Sequence, residues 1–149
     1  MLFRSVGIPI YSPTYQNYFN DNFDGTNTGW TTGSGISNNS ANKWEWGLPN
    51  YGATNSTFSG PKCWDVNLNS TYYTPGEVYL FSPYFDFTQA GINNNPTISF
   101  WLNYNTSFNL DGVILQYALN NGNWNTLGNL NNPLCATNWY NSLLDGTYG

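Results

Sequence analysis

The alternation of apolar and polar residues between Pro96 and Leu119, PTISFWLNYNTSFNLDGVILQYAL, constrains this chain more than any other feature. In an extended segment Ile98, Phe100, Leu102 and Tyr104 fall on one face, and Thr97, Ser99, Trp101 and Asn103 on the other. Val113, Leu115, Tyr117 and Leu119 repeat the pattern. A period of two belongs to a half-buried strand, and aromatic and β-branched residues suit a pleated surface packed on one side. The stretch therefore predicts two strands joined by a polar turn.

Shorter segments carry the same signature. Residues 1–16 are read as a linker or non-native leader, because Pro9 and Pro13 discourage a long regular element. A first strand is expected near Asn17 to Phe23, followed by a polar loop that contains Trp30. In NKWEW, Asn42 to Trp46, both tryptophans share a face before Gly47 and Pro49 end the strand. In KCWDVNL, Lys62 to Leu68, Cys63, Asp65 and Asn67 oppose Trp64, Val66 and Leu68. EVYLFS, Glu77 to Ser82, is closed by Pro83. Asn120-Asn121-Gly122 tolerates left-handed backbone and is expected to close a hairpin whose return strand is Trp124 to Leu127. No segment shows helical periodicity. The fold class expected is all-β, an antiparallel two-sheet β-sandwich of jelly-roll type. Residues 17–149 are read as a single domain, expected to lack its C-terminal strands.

Composition narrows the function classes. The chain has 149 residues, enough for one core, with 19% aromatic and only 7% charged residues. Loops kept soluble by neutral Asn, Ser, Thr and Gly fit a secreted or cell-surface β-protein, and the aromatic content excludes disorder. At a net charge of −5, with Arg4, Lys43 and Lys62 as the cations, no basic patch exists to neutralise phosphates. Nucleic acid and anionic membrane surfaces are thereby excluded as partners. No apolar run approaches the roughly 20 residues of a membrane span. The N-terminal run, interrupted by Pro9, is too weak for a signal peptide, so secretion rests on composition. Cys63 and Cys135 either form one disulfide, worth about 4 kcal/mol for a long loop, or remain separate buried thiols. Asn-X-Ser/Thr sites at Asn38, Asn55, Asn69 and Asn105 follow from the abundance of these residues and matter only in a glycosylating host.

The chemistry available is limited. The chain has no histidine, which removes the usual general base and most nucleophile triads. A glycosidase needs two facing carboxylates, and the eight acids here show no Glu-X-Asp-X-X-Glu spacing. A non-enzyme is expected. Asp21, Asn22 and Asp24 beside Gly25 make an oxygen-rich turn of the kind that calcium favours, with Asp65 and Asp111 as further candidate ligands. The same residues also make ordinary turns. The loop aromatics Trp30, Tyr51, Trp139 and Tyr140 are candidates for stacking on carbohydrate, with burial under a loop as the competing reading. Trp44, Trp46, Trp64 and Trp101 lie on expected strands, where core packing is the default.

Taken in order, Phe23-Asp24, Trp30, KWEWGLP, SGPKCWDVNL, EVYLFSPYFDF, PTISFWLNY, DGVILQYALNNGNWNTLG and NWYN resemble the MAM-like jelly-roll group, which includes the cleaved-adhesin and choice-of-anchor J domains of bacterial surface proteins. The resemblance runs from about Phe19 to Asn141. It implies a non-catalytic module of a larger secreted or surface protein, beside further domains, with carbohydrate or a surface protein as ligand. It also implies a calcium site at Asp24, paired with acids from a late Asp-Asp-Ile strand that this sequence does not contain. Relatives often have Asp-Gly-Gly where this chain has Asn120-Asn121-Gly122, so the acid at that hairpin tip is missing. The expected function is a binding or adhesion module, with a carbohydrate-active enzyme or a structural spacer as alternatives.

Overall fold

The structure is a computed structural model that describes residues 2–5, 9–10, 16–17, 19–27, 29–86, 98–107 and 110–129. The described chain is all-β, with one 3₁₀ turn at Gly52–Thr54 and short antiparallel pairings. It divides into two compact units, Met1–Asn105 and Thr106–Gly149.

In the first unit the largest sheet has the order β5-β6-β1-β8, with β5 at Trp44–Gly47, β6 at Cys63–Val66, β1 at Leu2–Ser5 and β8 at Phe100–Asn103. Every pairing in it is antiparallel. β1 lies within the segment read as linker or leader, and it pairs with β6 on one side and β8 on the other. A four-residue strand is too short to show periodicity, so only its neighbours reveal it. Two smaller pairs complete the unit: β2 (Pro9–Ile10) with β3 (Gln16–Asn17), and β4 (Thr31–Ser34) with β7 (Val78–Phe81). β4 was expected as loop, because TTGS has no apolar alternation. Pairing with β7, not local preference, makes it a strand.

The expected first strand over Asn17 to Phe23 is also corrected. β3 ends at Asn17, and residues 19–27 form a folded turn in which Asp21 accepts a hydrogen bond from the Phe23 amide at 2.8 Å. An aspartate that bonds to the backbone two residues on diverts the chain from a ladder. Of the two strands expected between Pro96 and Leu119, the first contains β8, which pairs with β1, and the second contains β9 at Gln116–Tyr117.

The core gathers Phe23, Trp30, Trp44, Trp64 and Val66, with Trp46, Val78, Leu80, Phe100 and Leu102 packed against it. This is the alternation of β5, β6, β7 and β8 expressed as burial. The opposite face of β6 is also covered, with Cys63 at 0% and Asp65 at 2% exposure. Leu68, expected beside Trp64 and Val66, joins Cys63 instead. Asn67 takes a left-handed φ of +57°, which breaks the period of two and moves Leu68 to the other face.

In the second unit β9 (Gln116–Tyr117) pairs with β10 (Asn125–Thr126). The turn between them matches its expectation. Asn120 and Asn121 have φ of +50° and +61°, and the Gly122 amide donates to the Leu119 carbonyl at 2.8 Å. Both central residues left-handed is the type I′ arrangement that suits the twist of a hairpin.

Candidate functional site

The expected oxygen-rich segment, Asp21–Gly25, is a closely bonded turn of the first unit. Asp21 is buried at 7% exposure and is committed at both oxygens. Oδ1 accepts from the Phe23 amide, and Oδ2 accepts from Trp30 Nε1 at 3.0 Å. Phe23 is held at a φ of +62° and 2% exposure, a conformation that costs an aromatic residue about 1–2 kcal/mol. Three contacts hold it there: its amide on Asp21, its ring edge-on to Trp30 at 5.4 Å, and its carbonyl, which accepts from Trp46 Nε1 at 2.8 Å.

A second segment closes over this turn. The Lys62 amide donates to Asp24 Oδ1 at 3.3 Å, and its ammonium lies 3.4 Å from the Gly25 carbonyl and 4.3 Å from the centroid of the Trp46 ring. An ammonium over an indole face is attracted by the ring quadrupole. Gly60 makes the approach possible. It has a φ of +66°, and a Cβ there would lie 1.9 Å from Asp24 Oδ2. Lys62, Trp46 and Gly60 were not singled out from sequence as partners of Asp24. Nothing in their spacing could signal it, since they come from β5 and from the approach to β6.

The four expected calcium ligands come from different elements. Asp21 and Asp24 share the turn, Asp65 lies on β6, and Asp111 belongs to the second unit. Among the described residues no three His, Cys, Asp or Glu side chains cluster. The turn offers oxygens suited in kind to a hard cation: the Asp24 carboxylate, the Asn22 side chain and the Gly25 carbonyl. Two of them are already engaged, Asn22 Oδ1 by the Asp24 amide at 3.2 Å and the Gly25 carbonyl by the Lys62 ammonium.

Asp65 has a neighbour that sequence spacing hid. Glu45 on β5 is its direct cross-strand partner, so two acids separated in sequence stand side by side. Burial, with the Glu45 charge adding to it, pushes the Asp65 carboxyl above its ordinary value, against a lowering contribution from the Val66 backbone. Glu45 itself is engaged, with Oε1 2.8 Å from the Lys43 ammonium and Oε2 accepting from the Leu68 amide at 3.0 Å.

Of the expected stacking residues, Trp30 is in the core at 5% exposure, with its indole N–H on Asp21, and offers no open ring face. Tyr51 is 47% exposed at the start of the 3₁₀ turn. Trp139, Tyr140 and Cys135 lie outside the described residues. Trp101, expected in the core, is 48% exposed on the outward face of β8 and stacks on Phe58, which is 59% exposed. In an edge strand with one face packed, the alternation that buries Phe100 and Leu102 turns Trp101 outward. Comparison of the chain with protein-family models, with curated proteins and with solved structures finds no match.

Proposed function

We propose that this chain is a non-catalytic binding or adhesion module of a larger secreted or cell-surface protein, built as an antiparallel two-sheet jelly roll. The observation that carries the reading is a surface with exposed aromatics on a scaffold low in charge. Tyr51, Phe58 and Trp101 keep between 47% and 59% exposure, although burial is the default for rings of this size. The ligand class is carbohydrate or a surface protein. The test is an array of glycans and extracellular proteins probed with the whole chain, alongside Tyr51→Ala and Trp139→Ala. Specific binding that a folded variant loses supports the reading, and a flat array overturns it in favour of a structural spacer.

Calcium enters this reading as a stabilising ion at the Asp24 turn, held by Asp24, Asn22 and the Gly25 carbonyl. Chelation is expected to lower the melting temperature, and calcium to restore it. A melting temperature indifferent to both removes the ion from the proposal.

One observation favours a carbohydrate-active enzyme as the second reading: Glu45 and Asp65 are cross-strand partners on β5 and β6, which brings two carboxyl groups to one part of the sheet. Against it, Asp65 is 2% exposed and Glu45 is held by Lys43 and Leu68, so a sugar has no path between them. Hydrolysis of a glycoside that is abolished by Glu45→Gln would establish this reading instead.

A further inference from the structure

We propose that the Phe58–Trp101 stack is a docking platform for the ring of a neutral carbohydrate. The inference rests on the binding-module reading and assigns it a ligand class and a place. The two rings lie 3.6 Å apart at centroid and 12° from parallel. Face-to-face contact uses one face of each ring. Phe58 nevertheless retains 59% exposure, so its opposite face is open to solvent. The stack stands on β8, the terminal strand of the four-stranded sheet among the described residues. Each ring fixes the other, so little side-chain freedom remains to be lost on binding.

The chemistry around the stack selects the occupant. From Leu48 to Pro61 and from Ile98 to Ser107 there is no Asp, Glu, Lys or Arg. The polar groups that flank the rings in sequence are neutral, Ser56, Thr57 and Ser59 around Phe58 and Asn103 two residues on from Trp101, while across the sheet Trp101 has Arg4 of β1 as its cross-strand partner. Hydroxyls and amides both donate and accept, and they exchange hydrogen bonds with sugar hydroxyls without desolvating a charge. A pyranose has a C–H face and a rim of hydroxyls, which matches aromatic rings bordered by such groups. A nucleobase would also stack, but the phosphates of a nucleic acid need several cations, and Arg4 opposite Trp101 is a single one in a chain of net charge −5. A protein anchor would instead call for a wider apolar surround that excludes water.

The test titrates the whole chain with cellohexaose, xylohexaose, mannohexaose and chitohexaose, read by calorimetry and by indole fluorescence. At least one hexaose is expected to bind. Phe58→Ala should weaken it about tenfold or more, the loss of one stacked ring, while Phe58→Tyr restores binding. Phe58 is largely exposed, so the melting temperature of Phe58→Ala should stay close to that of the native chain, and this variant avoids the strand position of Trp101. Binding undiminished in Phe58→Ala overturns the platform and leaves the module reading intact. A panel in which no hexaose binds overturns the platform outright, and the module reading then depends on the protein half of the array.

Discussion

Phe23 and Asp65 show what single residues contribute here. Phe23 is kept in a left-handed conformation by groups from three parts of the first unit, Asp21, Trp30 and Trp46. Strain of this kind persists only where the surroundings over-determine it, and it concentrates at functional sites. Asp65 opposes its own ionisation, because burial and the adjacent Glu45 both favour the protonated form. Its value in the folded protein lies above the unfolded one. The stability it contributes is therefore fully present below the unfolded value, about 3.9, and is lost as pH rises through the folded value. Asp65→Asn removes that titration while keeping the shape of the side chain. Its stability should show less loss than that of the native chain as pH rises above about 4, the ordinary carboxylate value. Urea unfolding of both proteins across this range is the measurement, and parallel profiles would refute the assignment.

At the scale of elements, β5, β6 and β7 were legible in the sequence because each alternates and ends at Gly, Pro or a turn. So was the Asn120-Asn121 turn, whose residues tolerate the backbone it adopts. β1 and β4 were not, since their pairing comes from distant strands and not from their own composition. The site was legible to a similar degree. Asp24 could be placed in an oxygen-rich turn, but Lys62 and Gly60, which close over it, are joined to it only by the fold. The fate of Leu68 depends on the left-handed Asn67, and asparagine alone does not announce that choice. Asn67 also anchors a buried amide network. Its Oδ1 accepts from the Lys43 amide, and its Nδ2 donates to the Thr71 carbonyl and to Asn42 Oδ1. Asn42, 3% exposed, continues it by donating to the Tyr73 carbonyl and accepting from the Tyr73 amide. Asn67→Ala should cost about 2–4 kcal/mol, combining buried groups left without partners and a left-handed alanine. Asn67→Gly loses the bonds but tolerates the backbone, so it should recover about 1 kcal/mol of that loss. Equal destabilisation in the two variants would show that the backbone conformation contributes nothing.

At the scale of the whole molecule, burial is unevenly divided. The first unit holds every buried residue among those described, including a core of Phe23, Trp30, Trp44, Trp64 and Val66, a smaller cluster of Cys63 and Leu68, and buried polar groups such as Asp65 and Asn42. In the second unit, residues 110–129 include none that is buried, and β9 and β10 pair over two residues each. A two-stranded pairing without a packed face is marginal in water. Opening free energies should therefore differ sharply between the units, since local stability follows buried apolar contact. In native-state hydrogen exchange, amides of β5 and β6 should be the slowest, opening only with global unfolding, because their side chains are packed on both faces of the sheet. Amides of β9 and β10 should exchange several orders of magnitude faster, by local opening that leaves the first unit folded. Addition of denaturant separates the two, since local opening exposes little surface and depends weakly on its concentration, whereas global unfolding depends on it steeply. Protection of β9 and β10 equal to that of β6, with the same denaturant dependence, would mean that both units unfold as one.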